Sequence, residues 1–231
     1  MTDTFHPSYI LEYIPKILQA FPMTFYILFM SLVLSLLIGA VFAFLSLSGK
    51  KAAGTIAKGY VSFMRGVPTL ILIFLIYLGL PQVMRNFGVD MSGISLSTYI
   101  IACLSLSVSA NMAEMMRSAY LAIDKGQREA AYSVGMSPVV AFFRIIFPQA
   151  LGVAIPTLGN NIIMLFKETS LAFTIGVIDM MGKARAVSAA NYGATKLEVY
   201  IAAGIIFWAL CFIMEKGTKL VEKAYTKGRK A

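Results

Sequence analysis

KGQREAAYSVGMSPVVAFFRIIFPQALGVAIPTLGNNIIMLFKETSL, Lys125 to Leu171, is the stretch whose reading decides the fold. It begins as a charged, small-residue helix, passes Gly135, Pro138 and Pro148, and becomes apolar. The apolar run is then interrupted by Lys167-Glu168-Thr169-Ser170 before Leu171 resumes it. A chain that only needed to sit in a bilayer has no use for Lys167 and Glu168 between two greasy segments. The pattern implies a polar site at membrane depth, joined to a water-exposed loop.

The rest of the chain agrees. Of its 231 residues, 58% are hydrophobic and 13% charged, against about 25% charged in a soluble domain. Mean hydropathy is +0.77. One all-α integral membrane domain is expected, with no room for a second folded unit. Cys103 and Cys211 both lie in apolar runs, so a disulfide is not expected. His6 is the one histidine, which excludes a histidine-based metal or catalytic cluster.

A span needs about 20 apolar residues. Met23–Leu47, Tyr60–Leu80, Ile94–Met116, Ile145–Phe166 and Val199–Met214 supply five. Leu171–Met181 is too short to cross alone and is read as a broken or re-entrant partner of the fourth. Residues 1–22 lack the continuous apolar core of a signal peptide. Tyr9, Tyr13, Ile14, Ile17 and Phe21 instead suit an interfacial lead-in helix, made irregular by Pro7, Pro15 and Pro22. Residues 23–219 form the membrane domain and 220–231 a basic tail.

Lys and Arg in the loops orient the spans. With the amino terminus outside, 13 bases fall on inside segments and five outside, the other two being Arg65 and Lys167 beside or within spans. The carboxyl terminus is therefore expected in the cytoplasm. The net charge of +9 then reports topology and needs no nucleic-acid partner.

The inside loop reads as two short helices around a bend. Gln127–Val134 is helix-compatible, Gly135 breaks it, and Ser137-Pro138 restarts a helix as N-cap and first-turn proline. Pro148 marks the return to the membrane. From the residues alone, an ordinary connector and a handle for a cytoplasmic partner are equally good readings.

Glu129-Ala130-Ala131, Gly135, Ile145 and Pro148 resemble the EAA signature of ABC importer permeases, with Phe147 where that signature has Leu. GQREAAYSVGMSP, FPQALGVAIPTLGNNII and KETSLAF resemble the polar amino acid (histidine/glutamine-type) branch. So do Arg65-Gly66-Val67-Pro68, Tyr77-Leu78-Gly79-Leu80-Pro81 and Asn111-Met112-Ala113-Glu114. The resemblance implies a type I importer permease fold of about five transmembrane helices in a bacterial cytoplasmic membrane, surrounded by membrane lipid. It implies a second permease copy or paralogue, two cytoplasmic ATPases on the EAA loop, and an extracytoplasmic solute-binding protein. The chain itself is expected to be a transport subunit and not an enzyme, with no cofactor or metal of its own and ATP on the partner. Its nearest approach to a phosphate-binding loop, Gly176 to Gly182-Lys183, is one residue too long and continues with Ala184.

Ser107, Asn111, Glu114 and Ser118 share one helix face. Thr157, Asn160 or Asn161, and Lys167/Glu168 make a second polar stripe. Polar stripes on membrane helices face protein or water, and each mid-span charge costs about 2.5–3.5 kcal/mol on insertion scales. The plain alternative is a pair of structural ion pairs, Glu114 with Arg117 and Glu168 with Lys167. Thr169 and Ser170 are expected to cap a helix starting at Leu171, whose dipole would favour an anion. Arg65 can hold a carboxylate bidentately. Together these suggest a zwitterion site, with Arg65 and Thr169/Ser170 for the carboxylate and Glu114 and Glu168 for the ammonium. The branch has Asp where this chain has Glu168, which leaves the substrate range open; histidine, arginine, lysine, glutamine and cystine all stay open, since side-chain recognition can lie in the separate binding protein. A secondary transporter or channel, and a membrane assembly factor, are the readings from other classes.

Overall fold

Residues 5–227 are described by the structure, a computed structural model. They form α1 Pro7–Leu18, α2 Phe21–Leu47, α3 Lys51–Gly66, α4 Thr69–Asn86, α5 Leu96–Leu121, α6 Lys125–Ser133, α7 Pro138–Ile175, α8 Met180–Ala190 and α9 Lys196–Lys227. Five of these, α2, α4, α5, α7 and α9, are long and apolar enough to cross a membrane.

Helix α2 is apolar all round, so side-chain size and not polarity sets its facing. Thr24, Ser31, Ser35, Gly39 and Ala43 recur about every fourth residue and are buried, largely against α5. A Cβ on Gly39 would sit 2.7 Å from Met112 Cβ and 3.0 Å from the Ser109 carbonyl oxygen, so the two backbones approach this closely only through glycine. The opposite face exposes Phe25, Phe29, Val33, Leu37, Val41 and Phe44 as one unbroken stripe. Helix α5 is the hub. It packs on α2, α3, α4 and α7, burying Ile100, Leu104, Val108 and Met112 completely.

The span expected over Tyr60–Leu80 is displaced. Val67 precedes proline and is extended (φ −98°, ψ 129°), which ends α3 and lets α4 begin at Thr69. Tyr60 therefore belongs to an amphipathic helix beside the bundle. Its ring stacks on Phe42 at 3.7 Å, and its hydroxyl donates to the Leu106 carbonyl at 3.0 Å.

Pro148 lies within the Ile145–Phe166 span expected from the sequence, inside α7. It opens no break; Phe142–Ile146 forms a π segment, and the helix runs on through the proline to Thr169. One extra residue per turn relieves the clash a proline ring makes with the preceding turn. The same solution precedes Pro81, where Leu75–Gly79 is π-helical.

No membrane half-helix starts at Leu171. The chain tightens into a 3₁₀ turn, Ser170–Ile175, and stops at Gly176 with φ 93°. Asp179, completely buried, then caps α8 by accepting the Gly182 N–H at 2.8 Å. The Met180 N–H donates to Thr24 Oγ1 at 3.0 Å, tying α8 to the start of α2. Burial pushes the Asp179 carboxyl up to about 6, against the pull of the Gly182 and Met181 N–H groups.

The lead-in is one continuous helix, α1, with Pro15 inside it. Tyr13 and Ile17 are buried where α1 packs on α8 and α9. The Tyr13 hydroxyl accepts from Asn191 Nδ2 at 2.8 Å and lies 2.8 Å from Thr195 Oγ1. The His6 N–H donates to Glu198 Oε1 at 2.9 Å. At the other terminus α9 extends without a break to Lys227, so Lys216, Lys219 and Lys223 continue the last helix. Asp3, Arg229 and Lys230 lie outside the described residues.

Candidate functional site

A cavity of about 350 Å³ opens where α3 gives way to α4, against α5 and the end of α7. The Gly66-Val67-Pro68 corner forms one wall, with Arg65 from the last turn of α3 beside it. Ser107 and Asn111, one turn apart on α5, form the second wall, and Glu168 of α7 the third. Four residues chosen from the sequence, Arg65, Ser107, Asn111 and Glu168, thus share one space.

Thr69 sits at their centre. Its hydroxyl donates to Glu168 Oε1 at 3.3 Å and lies 3.3 Å from Ser107 Oγ. The other carboxylate oxygen, Glu168 Oε2, is buried and has no hydrogen-bond partner among the described residues. Arg65 is exposed at the mouth and joins no ion pair there. An anchored carboxylate with a free oxygen, an unpaired guanidinium and neutral donors can together hold a ligand carrying both charges. Thr69 was not singled out from the sequence. Its position directly after the Pro68 helix break, as the first polar side chain of an apolar run, is the signal that marks it.

The remaining sequence candidates lie elsewhere. Glu114 turns to Arg117, with Oε1 2.5 Å from Nη2 and Oε2 3.0 Å from Nε, so the structural ion pair forms. Arg65 acts on that carboxylate only at longer range. The alternative Glu168–Lys167 pair does not form; adjacent helical positions point about 100° apart, and Lys167 is exposed outside the cavity. Thr169 and Ser170 cap nothing. Their hydroxyls donate to the carbonyls of Phe166 at 2.7 Å and Lys167 at 2.6 Å, because the chain behind them continues in helical turns. Of the second stripe, Asn161 reaches the sulfur atoms of Met112 and Met115, and Asn160 is exposed.

The loop between α5 and α7 is built as its residues suggest. Asp124 caps α6 by accepting the Gly126 N–H at 2.7 Å. Gly135 turns the chain with φ 82°, a left-handed value that disfavours any Cβ. Ser137 caps the restart through the Val140 N–H at 3.4 Å, with Pro138 in the first turn. Glu129 and Ala130 are exposed, Ala131 is buried, and Ile145 and Pro148 are half-buried. Val134, Val139 and Phe143 stand more than 60% exposed around the bend, an apolar surface left uncovered among the described residues. Behind it, the Tyr225 hydroxyl donates to the Pro148 carbonyl at 2.5 Å, bolting the loop's base to α9.

Comparison with known proteins gives this architecture its family. The chain is 36% identical to the L-cystine transport system permease protein TcyL of Bacillus subtilis (strain 168), over 99% of this chain and 95% of that one. It is 37% identical to the probable amino-acid permease protein YxeN of the same organism, over 97% and 98%. A crystal structure of an amino acid ABC transporter with histidines superposes with a TM-score of 0.82 at 29% identity, covering 96% of this chain and 99% of that one. Residues 35–227 match the model of a family described as the binding-protein-dependent transport system inner membrane component. With its five apolar helices, its bent loop and its match over most of the sequence, the chain belongs to that family of ABC transporter permeases.

Proposed function

We propose that this permease carries a polar amino acid through the cavity between α3, α4, α5 and α7. The supporting observation is the buried, partnerless Oε2 of Glu168, in a space shared with Arg65. A carboxylate held away from water needs a cation to offset its desolvation, and no Lys or Arg of the described chain supplies one. An α-ammonium group meets that need, with Thr69 steadying Glu168. Arg65 takes the α-carboxylate, and Ser107 and Asn111 supply neutral hydrogen bonds. Glu114 is left out of the site because Arg117 already occupies it. Cystine and the basic or amide amino acids are the substrate candidates, cystine being the one that TcyL's description names.

The chain holds no ATP site in this reading. Two cytoplasmic ATPases dock on the exposed bend around Glu129, Ala130 and Gly135, and their closure on ATP drives the spans between inward-open and outward-open forms. A second copy or a paralogue completes the pathway on the exposed side of Arg65 and Pro68. The amino terminus lies outside, the carboxyl terminus in the cytoplasm, and a solute-binding protein delivers substrate from outside.

The assembled complex in proteoliposomes tests both halves. Glu168→Gln should lower ATP-driven amino acid uptake about ten- to a hundredfold while the subunits still co-purify; normal uptake would remove this cavity from the pathway. Gly135→Val, a β-branched residue at positive φ, should release the ATPases or uncouple hydrolysis from uptake. Intact co-purification and intact uptake together would show that the bend is not the coupling element.

A further inference from the structure

A second cavity, about 470 Å³, lies where α1 meets α2 and both face the segment leading into α8. Gln19, Pro22, Met23, Tyr26, Ile178 and Lys183 line it. It sits at the end of a membrane-spanning helix, where head groups replace hydrocarbon. Its floor is continuous with the lipid-facing side of α2, because Pro22, Tyr26, Phe29 and Val33 follow one another at helical spacing. Large side chains fill that stripe, with none of the small residues that let a second helix approach closely.

The polar contribution is as informative as the apolar one. Lys183 joins no ion pair among the described residues. Asp179, one turn before it, is turned inward to the Gly182 N–H. A single ammonium over a mostly apolar pocket, with only the neutral Gln19 and Tyr26 beside it, is a poor trap for a small soluble anion, which would gain one charge contact and lose its hydration. It suits a molecule with an anionic head and a hydrocarbon body.

We propose that this cavity is a binding site for an anionic phospholipid. The phosphate lies on Lys183 with Gln19 and Tyr26 within its reach, and the acyl chains run down the Phe29–Val33–Leu37 side of α2. The lipid would bridge α2 to α8, alongside the Met180–Thr24 hydrogen bond that already joins them. The site stands independently of the transport reading, since it requires only that α2 span the membrane.

Photoreactive phosphatidylglycerol and phosphatidylcholine with identical acyl chains test this on the full-length permease in detergent, with crosslinks mapped by peptide mass spectrometry. Phosphatidylglycerol should label Met23–Tyr26 and the Ile178–Lys183 segment. Lys183→Gln should lower that yield about five-fold and Lys183→Arg should preserve it. The phosphatidylcholine yield should be weak and unchanged in both variants, which also reports an intact fold. Inorganic phosphate at tens of millimolar should not compete. Equal labelling by the two lipids, an unaltered phosphatidylglycerol yield in Lys183→Gln, or displacement by phosphate alone would each overturn the assignment.

Discussion

Glu114 and Glu168 sit on adjacent, packed helices, each in a segment long and apolar enough to cross a membrane. Their surroundings differ completely. Glu114 accepts two hydrogen bonds from Arg117, three residues along its own helix, and both side chains remain about one third exposed. Glu168 has a single 3.3 Å contact to a neutral hydroxyl, and one oxygen is sealed in with nothing to bond. One acid is a closed structural unit; the other is half of an interaction. On the transport reading proposed above, the charge that serves transport is the one the protein leaves incomplete at the cavity, and a charge already paired, as in Glu114, is structural.

Uptake measurements put the strongest strain on this contrast. Losing a hydrogen bond to a charged group is worth about 1.5–3 kcal/mol, so Glu168→Gln should lower uptake about ten- to a hundredfold. The same isosteric change at Glu114 should leave uptake within about twofold. Equal losses at both positions would break the distinction between them.

A third acid, Asp179, sharpens it: its Oδ2 is also buried without a partner among the described residues, but its other oxygen caps α8 and it does not line the cavity. The folded-state carboxyl of Asp179 titrates at about 6, above its ordinary 3.8. Burial raises that value, so its contribution to stability is fully present below pH 3.8 and is lost as pH rises through about 6. Asp179→Asn keeps an N-cap and removes the titration. The wild type should lose about 3 kcal/mol relative to that variant between pH 3 and pH 7, read as a falling difference in Tm. A pH-independent difference would show that the group is hydrated in the folded protein.

Two smaller effects complete the series. At Gly135 a Cβ meets nothing within 4 Å, so Gly135→Ala measures the left-handed backbone alone. It should destabilise by about 1–2 kcal/mol. Glu114→Gln should cost less than about 1 kcal/mol in thermal unfolding, the range of exposed ion pairs. A larger loss would mean the Glu114–Arg117 pair is doing more than satisfying itself.

Much of this was legible in the residues. Hydropathy and span length found the five candidate spans, with the second, Tyr60–Leu80, set too early, because an apolar stretch leaves a signal in composition but the Val67-Pro68 break inside it does not. The Gly135 bend and the Ser137-Pro138 restart were readable because they depend on backbone conformations few residues adopt. The cavity was partly readable, since Arg65, Ser107, Asn111 and Glu168 are polar groups in apolar surroundings. Thr69 was not singled out, because threonine itself is ordinary in a span and only its place directly after Pro68 marks it. Nor was the Glu114–Arg117 pair resolved, since the same spacing permits a paired or a free carboxylate and only rotamers decide. Helix α8 was missed because Leu171–Met181 is apolar enough to pass for membrane. The Asp179 cap that starts α8 is visible only once Gly176 is known to end the preceding turn.

The two π segments, Leu75–Gly79 and Phe142–Ile146, each end two residues before a proline. Each therefore stores one surplus residue inside an otherwise continuous rod. Deleting it would barely shorten the rod, but would twist everything beyond by about 100°. In α7 the far portion includes Glu168, so a lost codon within Phe142–Ile146 would act as a wrench on the distant carboxylate, swinging it off Thr69. Insertions and deletions in these two stretches are best understood as rotations.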